Sequence, residues 1–186
     1  MASPGITPRV LADSLKQIMA SNPFDKISVA EIVEHSGLNR NSFYYHFKDK
    51  YDLVNWVFQT EFVDRIKIED SDSSWRFIEQ ICNYFYENRV FYVNALSVKG
   101  QNSFSDYFTS KFYEILAPRF AAMLGNRKDK DLYANLFADA FLAIVLRWLK
   151  DGAKIPPDDF MQLLYESLTF APPTNRTPKK DAMASN

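Results

Sequence analysis

Cysteine is almost missing from this chain. Among 186 residues only Cys82 occurs, so no internal disulfide can form. Cys82 sits in an apolar-rich stretch, which reads as a buried thiol in a reducing, intracellular setting. With that cysteine and only 2 histidines, the chain has no HExxH, no CxxC and no metal-ligand spacing. It also has no GxSxG elbow and no glycine-rich phosphate loop. Asp158-Asp159 opens a helix and is not a spaced acid/base pair. The chain is therefore not expected to be an enzyme, and neither a metal nor a cofactor is expected. Long apolar runs are absent too: the longest, Ala140 to Leu146, is far below the ~20 residues of a membrane span. No apolar leader opens the chain, so no membrane partner and a cytoplasmic location are expected. Stretches of alternating polarity rich in β-branched residues are nearly lacking, and glycine is limited to 5 residues, which argues against sheet.

What is present is a large apolar fraction, 47%, with 16 Phe, 10 Tyr and 3 Trp, and a net charge of -1. Helical punctuation is clear. Thr7-Pro8 supplies an N-cap and an N1 proline, Ile6 and Leu11 a staple across it, and Leu11, Leu15 and Ile18 one apolar stripe. Asn22-Pro23 ends this first helix. Ser28-Val29-Ala30-Glu31 is a capping box for a short helix over about 29–36. Gly37 stands where a left-handed residue is needed. Asn39 caps a third helix from about Arg40 to Phe47, and Asp49 a fourth running to about Ile68. Two short helices with glycine in the turn between them outline a helix-turn-helix. Five further helices read at about 74–87, 88–98, 104–123, 129–151 and 157–170. The fold class is therefore all-α, with about nine helices. A helix-turn-helix head spans residues 1–53 and is linked by helix 50–68. A helical regulatory and dimerisation body spans 54–171, and a flexible tail 172–186.

In a helix-turn-helix, the start of the second helix meets base edges in the major groove. Arg40, Asn41 and Ser42 stand there, and their donors and acceptors suit guanine and adenine edges. Tyr44, Tyr45 and His46 suit phosphate oxygens or thymine methyls. Lys48 and Lys50 follow, and Ser28 caps the preceding helix. Taken singly, each of these residues also fits plain surface or a half-buried core position. Their grouping on one short capped helix is what points to double-stranded DNA.

The stretch from Ile32 to Leu53 closely resembles the TetR/AcrR family of regulators. Its landmarks, Gly37, Phe43, Tyr44, His46, Phe47, Lys50 and Leu53, are all present. The resemblance implies that Tyr44, His46 and Lys50 contact the phosphate backbone, and that positions 39–42 (Asn39 to Ser42) and Tyr45 read bases. A weaker likeness, in Lys50 to Trp56 and in Tyr84 to Phe104, is to the branch of the family that includes the coactivator of the dihydroxyacetone kinase operon. The family resemblance also implies a homodimer, whose two reading heads would bind a palindromic or near-palindromic operator.

The body is apolar on several faces. Residues 132–149 are apolar all round, as in a helix buried on both sides. A dimer face is expected from Phe137, Phe141, Val145, Trp148, Phe160, Leu164 and Leu168, packed as a self-complementary four-helix interface. A ligand pocket is expected among Phe85, Tyr86, Phe91, Tyr92, Phe104, Phe108, Phe112 and Tyr113, with Asn94 and Asn102 as polar anchors. Plain aromatic core filling is the competing reading of the same residues. Three functions remain open: a ligand-responsive repressor, a DNA-bound coactivator or adaptor that recruits a partner protein, and a helical enzyme or carrier without DNA function.

Overall fold

The computed structural model describes residues 6–65, 74–97 and 103–169. Among them lie nine α-helices and no strand. They are α1 (Ile6–Met19), α2 (Val29–Ser36), α3 (Arg40–His46), α4 (Lys50–Glu61), α5 (Ser74–Glu87), α6 (Arg89–Ser97), α7 (Phe104–Leu124), α8 (Lys130–Lys150) and α9 (Pro157–Thr169).

The head is α1 to α3 resting on the start of α4. Its apolar positions, Leu11, Leu15, Ile32, Phe43, Phe47 and Leu53, are buried against one another. The first helix includes Ile6, so Thr7 lies inside it and is not its cap. A short 3-10 turn, Phe24–Lys26, fills the α1–α2 link and buries Phe24; local sequence carried no signal for it.

The fourth helix stops at Glu61 and does not run on to residue 68. A 3-10 turn, Val63–Arg65, follows, and residues 66–68 lie outside the described part. No glycine or proline ends α4. Phe62 caps the helix, still donating its N–H to the Phe58 carbonyl at 3.0 Å, and is buried against Phe58, Phe77 and Tyr84 at ring-centre distances of 5.3, 6.2 and 4.9 Å.

The body packs α7 along α8, with α5 against α9 and α6 wedged between head and body. Asn88 alone joins α5 to α6, and its side chain donates to the Tyr84 carbonyl at 2.9 Å. The buried residues form one continuous core from Leu11 in α1 to Leu164 in α9. Phe58 of α4 sits at its centre and is 2% exposed. It lies within 6.4 Å of Tyr84, Phe85, Tyr92, Phe104, Tyr107 and Phe108. Cys82 is buried, and burial pushes its thiol up to about 12.

Two outcomes are expected. Phe58→Ala removes a ring shared by four helices and should lower the free energy of unfolding by about 3–5 kcal/mol in denaturant titration. Cys82 should fail to react with a thiol reagent at pH 8 until the protein is denatured.

Candidate nucleic-acid interface

A seven-residue helix does not hold by itself; α3 is held at both ends and from below. Asn39 Oδ1 accepts the Ser42 N–H at 2.8 Å and the Ser42 hydroxyl at 3.2 Å. Gly37, at φ 69°, lets the chain leave α2 and enter α3 without a Cβ penalty. Phe43 and Phe47 are buried, the latter against Trp56 at 5.8 Å. The opposite face is thereby aimed outward. Arg40, Asn41, Tyr44, Tyr45 and Lys48 are exposed, with Ser42 and His46 half-buried. Tyr45 is 84% exposed, and its ring meets only His46, at 4.8 Å. Arg40 lies over the Tyr44 ring at 5.9 Å, with no carboxylate partner. This is a row of donors, acceptors and aromatic edges on a rigid base.

Two of the expected phosphate contacts are otherwise engaged. Ser28 and Glu31 form a complete capping box on α2. The Ser28 hydroxyl accepts from the Glu31 N–H at 3.2 Å, and Glu31 Oε2 accepts from the Ser28 hydroxyl at 2.7 Å and N–H at 2.6 Å. Those hydrogen bonds, the hydroxyl's first, hold the Glu31 carboxyl below its usual range.

Lys50 has a more demanding position. Its ammonium donates to the carbonyls of Phe24, Asp25 and Ile27 at 2.7, 3.1 and 2.7 Å. It also lies over the Phe24 ring at 4.8 Å. An ammonium has three donors, and three carbonyls take them. Desolvation lowers the Lys50 pKa, opposed by the nearby Asp25 and Glu31 charges. Lys50 therefore ties the α1–α2 link to the start of α4. Sequence could not show this, because its partners are backbone atoms more than 20 residues away.

In the body, the aromatic residues expected to line a pocket touch one another. Phe85 meets Tyr92 at 4.7 Å and Phe108 at 5.3 Å, and Phe108 meets Phe112 at 5.7 Å. Phe91 and Phe104 are buried in the same core. Tyr86 stacks on Trp148 at 5.9 Å. Tyr113 faces a separate polar groove of α7 and α8, near Asp139. Asn94 is no pocket anchor: its amide donates to the Met19 carbonyl at the end of α1, at 3.0 Å. Asn102 lies outside the described residues.

The expected dimer residues are mostly buried in the protomer, though Trp148, Phe160 and Leu164 also line an open groove between α8 and α9. Phe141, Val145, Trp148, Phe160 and Leu164 are buried within the protomer, and Phe137 stacks on Phe112 at 6.1 Å. The Leu168 side chain is outside the described part. A helix apolar all round gives no hint of which face meets its own core. The outward face of α8 carries Leu132, Leu136, Ala140 and Ile144, spaced by four, with Leu132 69% and Leu136 63% exposed. An open groove of about 560 Å³ continues this face between α8 and α9, past Ile144, Ile155 and Leu163. By length and composition α8 could cross a membrane, but one of its faces packs on the bundle and the other forms this stripe.

Comparison with known proteins agrees with the architecture. A family model described as bacterial regulatory proteins, tetR family, matches residues 12–57. A second, described as a transcriptional regulator C-terminal region of TetR type, matches residues 73–169. The HTH-type dhaKLM operon transcriptional activator DhaS of Lactococcus lactis subsp. lactis (strain IL1403) is 26% identical over 112 residues, 60% of this chain and 59% of that protein. The match thus spans less than two thirds of that relative. Among solved structures, the dihydroxyacetone kinase operon activator DhaS superposes with a TM-score of 0.59 at 21% identity, covering 88% of this chain and 93% of that one. The fatty acid degradation regulator FadR from Bacillus halodurans gives 0.63 at 14% identity, covering 92% and 99%. NalD, the secondary repressor of the MexAB-OprM multidrug efflux pump in Pseudomonas aeruginosa, gives 0.57 at 15% identity, covering 88% and 95%. At these identities the structures show a shared fold.

The geometry makes Lys50 a test case. Lys50→Met should lower stability by about 1–2 kcal/mol by removing a charged donor from three backbone carbonyls, two of them part-buried. It should leave the salt dependence of DNA binding unchanged. A loss of one unit of salt slope without destabilisation would return Lys50 to a phosphate.

Proposed function

The chain belongs to the TetR family of bacterial transcriptional regulators, and from that premise we propose that two copies joined through α8 and α9 place two α3 helices in successive major grooves of a palindromic operator. The observation that carries this is the outward row of Arg40, Asn41, Tyr44 and Tyr45 on a helix whose inner face, Phe43 and Phe47, is fully committed to the core. Arg40, Asn41, Ser42 and Tyr45 read bases. Tyr44, His46 and Lys48 meet phosphates, and Ser28 and Asn39 serve mainly by capping the helices that carry them. Such a protein works on chromosomal DNA in the cytoplasm.

The outer stripe of α8 and the neighbouring groove, whose lining includes Trp148, Phe160 and Leu164, supply the dimer face. A stripe of exposed Leu and Ile on a monomer is what an interface looks like before it is covered. Regulation is best read as ligand-responsive repression. An effector binds one arrangement of head and body better than another and so shifts operator affinity. The second reading, an activator or adaptor that recruits a partner protein, draws on the name of the relative DhaS and on the close packing of the central rings.

Selection of bound DNA from a random pool should recover a palindrome. Arg40→Ala and Asn41→Ala should each weaken binding to it by about 1–3 kcal/mol and relax one base position. Arg40 and Lys48 are the cations of this face without a carboxylate partner. The slope of log affinity against log salt should therefore be no steeper than about −4 for a dimer. Leu163→Glu with Ile144→Glu should give monomers in sedimentation and abolish operator binding while leaving helical content unchanged. A double variant that stays dimeric would move the interface elsewhere. Transcription reconstituted with purified protein and the recovered site separates repression from activation.

A further inference from the structure

The central rings fill the body, yet a cavity of about 330 Å³ opens at the junction of head and body, between α1 and the end of α4. Its walls are Arg9 and Asp13 of α1, Trp56, Thr60 and Glu61 of α4, and Arg65 of the turn beyond. The charges here are not equally free. Glu61 is neutralised: Lys16 donates to its carboxylate at 2.6 Å, and the Tyr84 hydroxyl approaches at 3.4 Å. The side chains of Arg9, Asp13 and Arg65 are exposed and make no hydrogen bond or ion pair among the described residues. Two guanidiniums and one carboxylate thus face the same space, a net positive charge beside an indole ring.

We propose that this cavity is an effector site for a small hydroxylated oxyanion, a carboxylate or phosphate held by Arg9 and Arg65. Guanidinium is the side chain best matched to such oxygens, through paired N–H donors in a fixed plane. Asp13 accepts a hydrogen bond from a hydroxyl on the same molecule and disfavours plain dianions. Trp56 covers the carbon skeleton. The volume admits a molecule of a few carbon atoms and excludes a large lipophile.

The position gives the site its leverage. Arg9 moves with the head, whereas Arg65 lies where α4 gives way to the body. A bridging anion links the two, beside the Lys16–Glu61 pair that already does so. It alters operator affinity only in proportion to its preference for one head position. This part rests on the DNA-binding reading above; binding itself does not.

The test is calorimetry and tryptophan fluorescence on the full chain without DNA, at constant ionic strength. Inorganic phosphate, malate and succinate serve as probes. The expected result is saturable binding of phosphate or malate, with malate ahead of succinate. Arg9→Gln and Arg65→Gln should each weaken it at least about tenfold. Both side chains are exposed and form no ion pair among the described residues, so their variants should keep the parent melting temperature. Asp13→Asn should remove the preference for malate over succinate. Trp56→Phe should abolish the fluorescence response while calorimetric binding persists. No saturable binding by any probe, or binding unchanged in both arginine variants, overturns the site. Operator affinity of the arginine variants without anion should equal that of the parent. A failure of the site would then leave DNA binding untouched, whereas loss of operator binding by the parent itself would strike the reading on which the coupling depends.

Discussion

The insertion of Phe58 into the body is the constraint on which the rest depends. This one ring belongs to α4, whose first turn carries the reading head, yet it touches rings of α5, α6 and α7. α4 is consequently buried along most of its length: Leu53 and Val54 face the head, while Val57, Phe58 and the following Phe62 lie deeper in the same core. A helix shared in this way cannot tilt without disturbing rings on both sides. Close-packed interiors have few intermediate arrangements, so movement of the head, where it occurs, passes between discrete packings of this cluster.

Burial of rings supplies strength but little direction. Direction comes from a few polar ties round the hub. Asn94 of α6 holds the last turn of α1 through the Met19 carbonyl at 3.0 Å. The Tyr107 hydroxyl of α7 donates to Gln59 of α4 at 2.7 Å. Lys16 of α1 binds Glu61 of α4 at 2.6 Å, and Tyr84 and Tyr92 share a hydrogen bond of 2.6 Å behind it. Burial raises the pKa of both tyrosines, so they stay protonated and their bond is neutral. The head is therefore registered against the body by bonds from three of the body's helices, at α1 and at the far end of α4.

The parts of this molecule legible in sequence are those decided within a few residues. The caps at Ser28, Asn39 and Asp49 and the left-handed Gly37 all occur where their side chains or missing Cβ require them. The helix pattern of the body follows from spacing alone. What was not legible is set by atoms distant in sequence. Lys50 looks like a surface cation until the carbonyls of Phe24 and Ile27 are in place. Asn94 looks like a pocket anchor until α1 ends beside it. The inner and outer faces of α8 are equally apolar, so composition could not say which of Phe141 and Leu136 is inside. α4 ends after Glu61 with no glycine or proline to mark the stop in sequence.

The charge economy of the head bears on the dimer proposed above. Lys16 is tied to Glu61 and Lys50 to backbone carbonyls, which leaves Arg40 and Lys48 as the cations of the α3 face without such partners. Non-specific attraction grows with the number of phosphates neutralised, so one head gains little from the backbone at physiological salt. The remainder must come from directional contacts on one seven-residue helix, which the partner head of the proposed dimer would reinforce. Joining two such heads makes the second binding step intramolecular, at an effective concentration set by the spacing of the pair. Weak electrostatics in each head and rigid mounting through Phe58 thus belong together. In the proposed dimer, operator binding would be sensitive to head spacing, which α4 would set.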